Sequence, residues 1–211
     1  MPRGGCCRPR VVLLDFDGTM VDTMGAYAEL AAGLVEARAG LPRGEALRLY
    51  LETAGMAFRD QLRLMGLTGG LAEALAREFE EGKRRILSRL RLHPKVEWLA
   101  SQLRARGLRV IVSTNNECSV VNSNKELTRV FDAILCHDPA RGTGKGEPHL
   151  RLIEERLGVE RCEVVFIGDS DYDLSLYRPL GVRVLRTRGL WLDAEEVLAQ
   201  IDSLLAGSCA D

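Results

Sequence analysis

An apolar stretch that ends in two carboxylates, VVLLDFDGT at residues 11–19, constrains the fold more than any other feature of the sequence. Four consecutive aliphatic residues, 11–14, indicate a strand that is buried on both faces, as in a parallel sheet covered by helices. Asp15 and Asp17 follow this strand directly, and burying a carboxylate is costly unless its charge is compensated. We therefore expect a site at the end of the strand that stabilises negative charge.

The composition excludes several classes of protein. The chain has 211 residues, is 46% hydrophobic and 28% charged, and has a net charge of −1, which fits one substantial domain or a core with a smaller insert. This charge gives no reason to expect a nucleic-acid or anionic membrane partner. No apolar run approaches the roughly 20 residues needed to span a bilayer, and the start, MPRGGCCRPR, lacks the apolar segment of a secretory signal. A cytoplasmic location is expected, and the oligomeric state is not indicated.

The six cysteines lie at positions 6, 7, 118, 136, 162 and 209. They form no CxxC or Cys/His pattern of the kind that binds zinc. We expect reduced structural thiols, with a disulfide as the alternative that a hyperthermophilic source would favour.

The order of the predicted elements indicates an insertion. Residues 23–90 contain four stretches with helical spacing of apolar residues, separated by glycines and without strand-like alternation. From His93 onwards, apolar strands alternate with helices, one of them at about 118–129, and Asp193 with Glu196 is typical of a capping box for the last helix. The first strand therefore belongs with the second half of the chain. We predict an α/β fold with a Rossmann-like parallel-sheet core at 1–22 and 91–211 and an all-helical insert at 23–90.

Polar residues follow several of the predicted strands. Ligands of open parallel sheets bind beyond the carboxyl ends of the strands, where this chain places a set of carboxylates, hydroxyls, an amide and a lysine: Asp15, Asp17, Ser113, Thr114, Asn115, Lys145, Asp169 and Asp173. Two carboxylates ~4 Å apart repel by about 4 kcal/mol at an effective dielectric near 20. One lysine does not offset three or four of them. Carboxylates without nearby His or Cys favour a hard divalent ion, usually Mg²⁺, whose open positions suit phosphate oxygens.

These residues resemble the four motifs of the haloacid dehalogenase superfamily, in order and over most of the chain. The motifs are Asp15-x-Asp17-Gly18-Thr19, the Ser/Thr-Asn after the second strand, Lys145, and Gly168-Asp169-Ser170-x-x-Asp173. The stretch HPKVEWLASQLRARGLRVIVSTN is similar to the phosphoglycolate phosphatase-like branch, and the helical insert resembles the cap of that branch. The third motif departs from the frequent Lys-Pro-x-Pro, because this chain has Lys145-Gly146-Glu147-Pro148.

The resemblance implies a role for each motif residue. Asp15 is expected to attack phosphorus and become an aspartyl-phosphate, and Asp17 to act as general acid and base. Asp15, Asp169 and the backbone carbonyl of Asp17 are expected to bind Mg²⁺, with Asp173 supporting the metal shell or Lys145. Other expected contacts are to phosphate or substrate: Thr114 with Asn115, Ser113 as the alternative to Thr114, Lys145, Gly18 for close backbone approach, and Arg59 in the helical insert.

The function expected from this resemblance is Mg²⁺-dependent hydrolysis of a small phosphorylated metabolite. A phosphomutase on the same scaffold, like β-phosphoglucomutase, is one alternative, and a non-catalytic protein that binds a phosphate ligand or a partner is another. A metal-free 2-haloacid dehalogenase is disfavoured, because those enzymes lack an acid at the position of Asp17.

Overall fold

The computed structural model describes residues 8–138 and 140–207. Five strands form one parallel sheet in the order β3-β2-β1-β4-β5. They are β1 (Val11–Leu14), β2 (Arg109–Glu117), β3 (Ala133–His137), β4 (Val164–Gly168) and β5 (Arg183–Arg186). The predicted α/β fold class is thus confirmed.

Strand β1 lies in the middle of the sheet although it comes first in the chain. Its last residue, Leu14, is in register with Val112 of β2 on one side and Ile167 of β4 on the other. The first strand therefore belongs with the second half of the chain, as predicted. Because the three central strands run in the same direction, the loops that follow them meet at one edge of the sheet.

Both faces of the sheet are buried, which explains the unbroken aliphatic run in β1. Val12 and Leu14 pack on one face, in an apolar cluster that continues into the helices following β1. Val11 and Leu13 pack on the other face, together with Phe166. Burying one such side chain contributes about 1.5–3 kcal/mol, so this strand anchors the residues at its end firmly.

Four helices fill the segment between β1 and the second half of the chain, as predicted. They are α1 (Met24–Ala39), α2 (Arg43–Glu52), α3 (Phe58–Leu64) and α4 (Gly69–Leu87). Helix α1 ends at Gly40, whose positive φ of 70° lets its N–H bond the carbonyl of Glu36. We call residues 24–87 the helical segment. Among the described residues, none of the helices combines the length and the apolar character that crossing a bilayer requires.

One predicted helix is wrong among the remaining helices, which follow the helical segment in the chain. They are α5 (Pro94–Ala105), α6 (Cys118–Val121), α7 (Glu147–Leu157), α8 (Asp171–Tyr177) and α9 (Leu190–Ala206). The helix expected at 118–129 ends after one turn, and a 3-10 turn follows at Lys125–Leu127. The cause is Asn124, whose side chain donates to the carbonyls of Leu87 and Leu90 and accepts from the N–H of Glu126.

The predicted capping box of the last helix is also wrong. Helix α9 begins at Leu190, three residues before Asp193, and is kinked at Asp193, where φ is −123°. The Asp193 carboxylate accepts hydrogen bonds from the Thr187 hydroxyl and the Arg188 N–H. It therefore stabilises the loop before the helix and not the first turn after itself.

A disulfide between Cys118 and Cys136 contradicts the expectation of reduced thiols. Cys118 begins α6 directly after β2, and Cys136 lies in the neighbouring strand β3. Their Cα atoms are 5.2 Å apart, within the usual range for a disulfide. The two cysteines are 18 residues apart in the sequence, and they lie close together because β2 pairs with β3. The cysteines at 6, 7 and 209, and the predicted domain limits at 1 and 211, lie outside the described residues.

Candidate active site

Three carboxylates meet at the edge of the sheet. Asp15 follows β1, Asp169 follows β4, and Asp173 lies in the first turn of α8. One oxygen from each lies within 4.8 Å of the others. The structure therefore brings Asp15 and Asp169 together although 154 positions separate them in the chain.

Lys145 forms ion pairs with two members of this cluster. Its Nζ lies 2.5 Å from Asp15 Oδ1 and 2.9 Å from Asp173 Oδ2, and all three side chains are buried. Burial alone would lower the pKa of Lys145, but Asp15 and Asp173 together raise it above its ordinary value, so the ammonium stays charged. Lys145 comes from the loop before α7, where Gly146 has a φ of 85°.

The carboxylates hold more negative charge than Lys145 balances. Burial raises the pKa of Asp15 well above its ordinary value, and the carboxylates of Asp173 and Asp169 raise it further, against the opposing effect of Lys145. Burial also raises the pKa of Asp169. Since both shifts arise from uncompensated negative charge in a buried place, an added cation would favour the ionised forms.

The oxygen Asp173 Oδ1 identifies where such a cation fits. It is buried and has no hydrogen-bond partner among the described residues, whereas Oδ2 of the same carboxylate accepts from Lys145 and Ser170. Such an orphaned anionic oxygen is costly unless an ion or water completes it. With Asp15 and Asp169 it forms a donor set made only of carboxylate oxygens, which suits Mg²⁺.

Asp17 is held apart from the cluster. Thr23 donates to its Oδ1 at 2.7 Å, and Asn116 donates to its Oδ2 at 2.5 Å. Asn116 is buried and is not among the residues predicted from the motifs. Strand β2 continues to Glu117, and its pairing with β3 is irregular between Ser113 and Glu117, so simple alternation along the strand does not indicate the position of Asn116.

The residues at the end of β2 point in different directions. Ser113, the alternative phosphate ligand, is buried and bonds His149 Nδ1 and the Tyr177 hydroxyl, both at 2.7 Å. Thr114 lines the cavity beside the carboxylates. Consecutive side chains of a strand point to opposite faces, so of these two residues Thr114 lines the cavity and Ser113 does not.

Asn115 connects two loops around the site. Its Oδ1 accepts from the backbone N–H of Lys145 at 3.2 Å, and its Nδ2 donates to the carbonyl of Gly55 at 3.3 Å. Gly55 lies between α2 and α3, so this amide ties the helical segment to the lysine loop.

The turn after Asp17 depends on Gly18. Its φ is 75°, and a Cβ at this position would lie 2.3 Å from Asp169 Oδ2. Thr19 completes the turn, with its hydroxyl 3.1 Å from Asp169 Oδ1 and 3.3 Å from Asp15 Oδ2. The glycine thus permits the close approach of the first and fourth motifs.

A cavity of about 400 Å³ opens above the carboxylates. Asp15, Asp17 and Lys145 line one part of it, and residues of the helical segment line another part, which we call the helical wall. Arg59 lies on that wall, but its guanidinium is half exposed and pairs with Glu73 at 2.6 Å. The cavity is therefore lined both by reactive groups at the edge of the sheet and by side chains of the helical segment.

Known proteins share this architecture. The chain is 22% identical over 205 residues to a phosphoglycolate phosphatase of Synechococcus elongatus, a match that covers 96% of this chain and 94% of the relative. A haloacid dehalogenase-like family hydrolase from Streptococcus pneumoniae superimposes with a TM-score of 0.74 and 18% identity, covering 92% of this chain and 98% of that one. A β-phosphoglucomutase from Clostridium difficile gives a TM-score of 0.71 at 14% identity, covering 94% and 99%. At these identities the solved structures establish the fold alone.

The family is established by a broader comparison. A profile of haloacid dehalogenase-like hydrolases matches residues 9–180, which include every motif residue at the edge of the sheet. The resemblance inferred from those motifs is thereby confirmed. The chain belongs to the haloacid dehalogenase-like hydrolase family.

Proposed function

We propose that the protein is a Mg²⁺-dependent phosphatase that hydrolyses a small phosphorylated metabolite. The observation that carries this proposal is the meeting of Asp15, Asp169 and Asp173, two of which pair with Lys145, with Asp17 held apart from them and lining the same cavity. One carboxylate is thus available as nucleophile and a second as proton carrier. A cytoplasmic location stays a prediction.

Asp15 and Asp17 have different roles in the proposed reaction, as nucleophile and as general acid and base. An Asp15 oxygen attacks phosphorus and forms a P–O bond while the ester P–O bond breaks, and Asp17 gives its proton to the leaving oxygen. Asp17 then takes a proton from a water molecule that attacks the aspartyl-phosphate, which releases phosphate and restores Asp15. The hydrogen bonds from Thr23 and Asn116 hold Asp17 in position for both steps.

Charge balance during these steps comes from several groups. Lys145 lies against Asp15 and would neutralise the transferring phosphoryl group, while Thr114 and Asn115 would donate to its oxygens. Asp15, Asp169, Asp173 and the backbone carbonyl of Asp17 would hold Mg²⁺, and the bound ion would offset negative charge on the phosphoryl oxygens.

The helical segment would act as a cap. We assign 23–90 to this cap and 1–22 with 91–211 to the core, and the contact of Gly55 with Asn115 supports closure of one over the other. A closed cap would exclude bulk water from the cavity while the aspartyl-phosphate forms.

The test is phosphate release from p-nitrophenyl phosphate and a panel of phosphorylated metabolites, with Mg²⁺ and with a chelator. We expect turnover with Mg²⁺ alone and loss of turnover with the chelator. Turnover that survives the chelator, or the absence of any turnover, would contradict the proposal. Turnover that requires a bisphosphate activator would assign the mutase reaction instead.

A further inference from the structure

Polar side chains of the helical segment line the cavity on the helical wall. Tyr27 of α1 and Glu80 and Lys83 of α4 line this wall. Tyr27 is only 2% exposed, and its hydroxyl lies near the Asp17 carboxylate without a well-aligned hydrogen bond to any described residue. The buried oxygen Glu80 Oε2 has no hydrogen-bond partner among the described residues. Such groups are costly to bury unless a ligand or water completes them.

Aromatic rings surround these groups. Phe79 packs against Phe58 with ring centroids 4.1 Å apart, and against Tyr27 and Tyr50 at 6.0 and 5.8 Å. The Lys83 ammonium lies 5.3 Å from the centre of the Phe79 ring. The wall therefore offers apolar ring surface beside fixed polar atoms, the usual character of a small-molecule site.

The wall has no excess positive charge. Of the described residues, Arg59, Arg63 and Lys83 are the cations that the helical segment brings to the cavity, and each has a carboxylate partner. The pairs are Arg59 with Glu73 at 2.6 Å, Arg63 with Asp60 at 2.6 Å and Lys83 with Glu80 at 2.8 Å. An anionic group placed beside Lys83 would meet the negative charge of Glu80 as well.

Neutral hydroxyl groups match this wall better than a carboxylate does. A hydroxyl can donate to Glu80 Oε2 and accept from the Tyr27 hydroxyl or from Lys83, whereas a carboxylate only accepts. Burial, and then the charge of Asp17 and a poorly aligned hydrogen bond to it, raise the pKa of Tyr27, so its hydroxyl stays protonated and can also accept from a ligand hydroxyl. The C–H surface of a polyol or sugar can pack on the aromatic rings.

We infer that the substrate is the phosphate monoester of a neutral, polyhydroxylated group, with Tyr27, Glu80 and Lys83 as its specificity residues. This inference rests on the proposed phosphatase function and names the class of its leaving group. The Glu80–Lys83 pair both binds hydroxyls and rejects a carboxylate, because Glu80 repels a second anion.

The test compares kcat/KM for glycerol 3-phosphate and sorbitol 6-phosphate with kcat/KM for 2-phosphoglycolate. We expect the wild-type protein to favour the better polyol phosphate by at least about tenfold. Glu80→Gln leaves Lys83 unpaired, so the ratio should shift at least about tenfold toward 2-phosphoglycolate. The double variant Glu80→Gln/Lys83→Gln removes both charges and should lack that shift. Glu78→Gln, on the same helix and paired with exposed Arg38, is the matched control and should keep the wild-type ratio.

Hydrolysis of p-nitrophenyl phosphate reports whether each variant is folded and active. A wild-type preference for 2-phosphoglycolate, or an unchanged ratio in active Glu80→Gln, would overturn the inference and leave the phosphatase function intact. Absence of p-nitrophenyl phosphate hydrolysis by the wild-type protein with Mg²⁺ would contradict the proposed function and this inference with it. Should Glu80→Gln fail to fold, the wild-type ratio and the Lys83→Gln variant, expected to lose turnover of polyol phosphates preferentially, decide the question.

Discussion

The two walls of the cavity differ in how their polar groups are hydrogen-bonded. At the edge of the sheet, Thr23 and Asn116 hold Asp17 by hydrogen bonds, and the oxygen left without a partner, Asp173 Oδ1, lies in the proposed metal site. On the helical wall, the buried Tyr27 hydroxyl lacks a well-aligned hydrogen bond and the buried oxygen Glu80 Oε2 has no partner among the described residues. The first arrangement serves chemistry that is independent of the leaving group, whereas the second leaves polar atoms that the leaving group itself can contact. Reactivity and specificity therefore reside in separate elements, and changes on the two walls should have separable effects.

The largest expected effect comes from Asp15→Asn. Loss of the nucleophile should lower kcat by at least about 10⁴-fold on every phosphate ester, because bond formation to phosphorus is common to all of them. The measurement is steady-state phosphate release from p-nitrophenyl phosphate and from polyol phosphates. Wild-type turnover of any ester by this variant would remove Asp15 from the role of nucleophile.

Asp17→Asn should have the next largest effect. The variant cannot carry a proton, so both formation and hydrolysis of the aspartyl-phosphate should slow by about 10²–10⁴-fold. Rapid-quench kinetics with an ester of good leaving group separates the two steps, since the first needs less acid catalysis in that case. Equal, wild-type rates for both steps would exclude Asp17 from the mechanism.

Gly18→Ala tests the close approach at the edge of the sheet, and Gly40→Ala is its matched control. The two glycines have similar positive φ values of 75° and 70°, but only the Cβ at position 18 meets another residue, Asp169. Both variants should lose about 1 kcal/mol of unfolding free energy from backbone strain. Gly18→Ala should in addition weaken Mg²⁺ binding at least about tenfold by displacing Asp169. Equal Mg²⁺ affinity in the two variants would contradict the importance of this contact.

A smaller effect is expected behind the site, at His149. Burial lowers the pKa of His149 to about 4, so the folded protein keeps the imidazole neutral where the unfolded chain begins to bind a proton. Because the pKa of His149 in the folded protein lies below the ordinary value of about 6.5, its contribution to the unfolding free energy is fully present above pH 6.5. This contribution is lost as the pH falls toward 4. Between pH 7 and pH 5 the wild-type protein should lose about 2 kcal/mol more unfolding free energy than His149→Asn in urea titrations. Equal losses of unfolding free energy in the two proteins would show that protonation of His149 does not contribute to the pH dependence of stability.

The sequence predicted the edge of the sheet better than the helical wall, for a physical reason. Parallel strands bring their carboxyl ends to one edge, so the proximity of Asp15 and Asp169 follows from strand order. Which helix faces enclose the cavity depends on how four helices pack, and no short pattern encodes that packing. Tyr27 and Lys83 therefore had no signal beyond helical periodicity. The cysteine pair 118–136 escaped prediction because it depends on the pairing of β2 with β3.

The most direct test of the account is a calorimetric titration of Mg²⁺ into the wild-type protein and two variants. Asp169→Asn removes a carboxylate of the cluster, whereas Asp171→Asn removes an exposed carboxylate two residues away that pairs with Arg186. We expect one Mg²⁺ site in the wild-type protein and in Asp171→Asn, and at least about tenfold weaker binding in Asp169→Asn. Undiminished binding in Asp169→Asn would show that the carboxylates at the edge of the sheet do not share a metal ion.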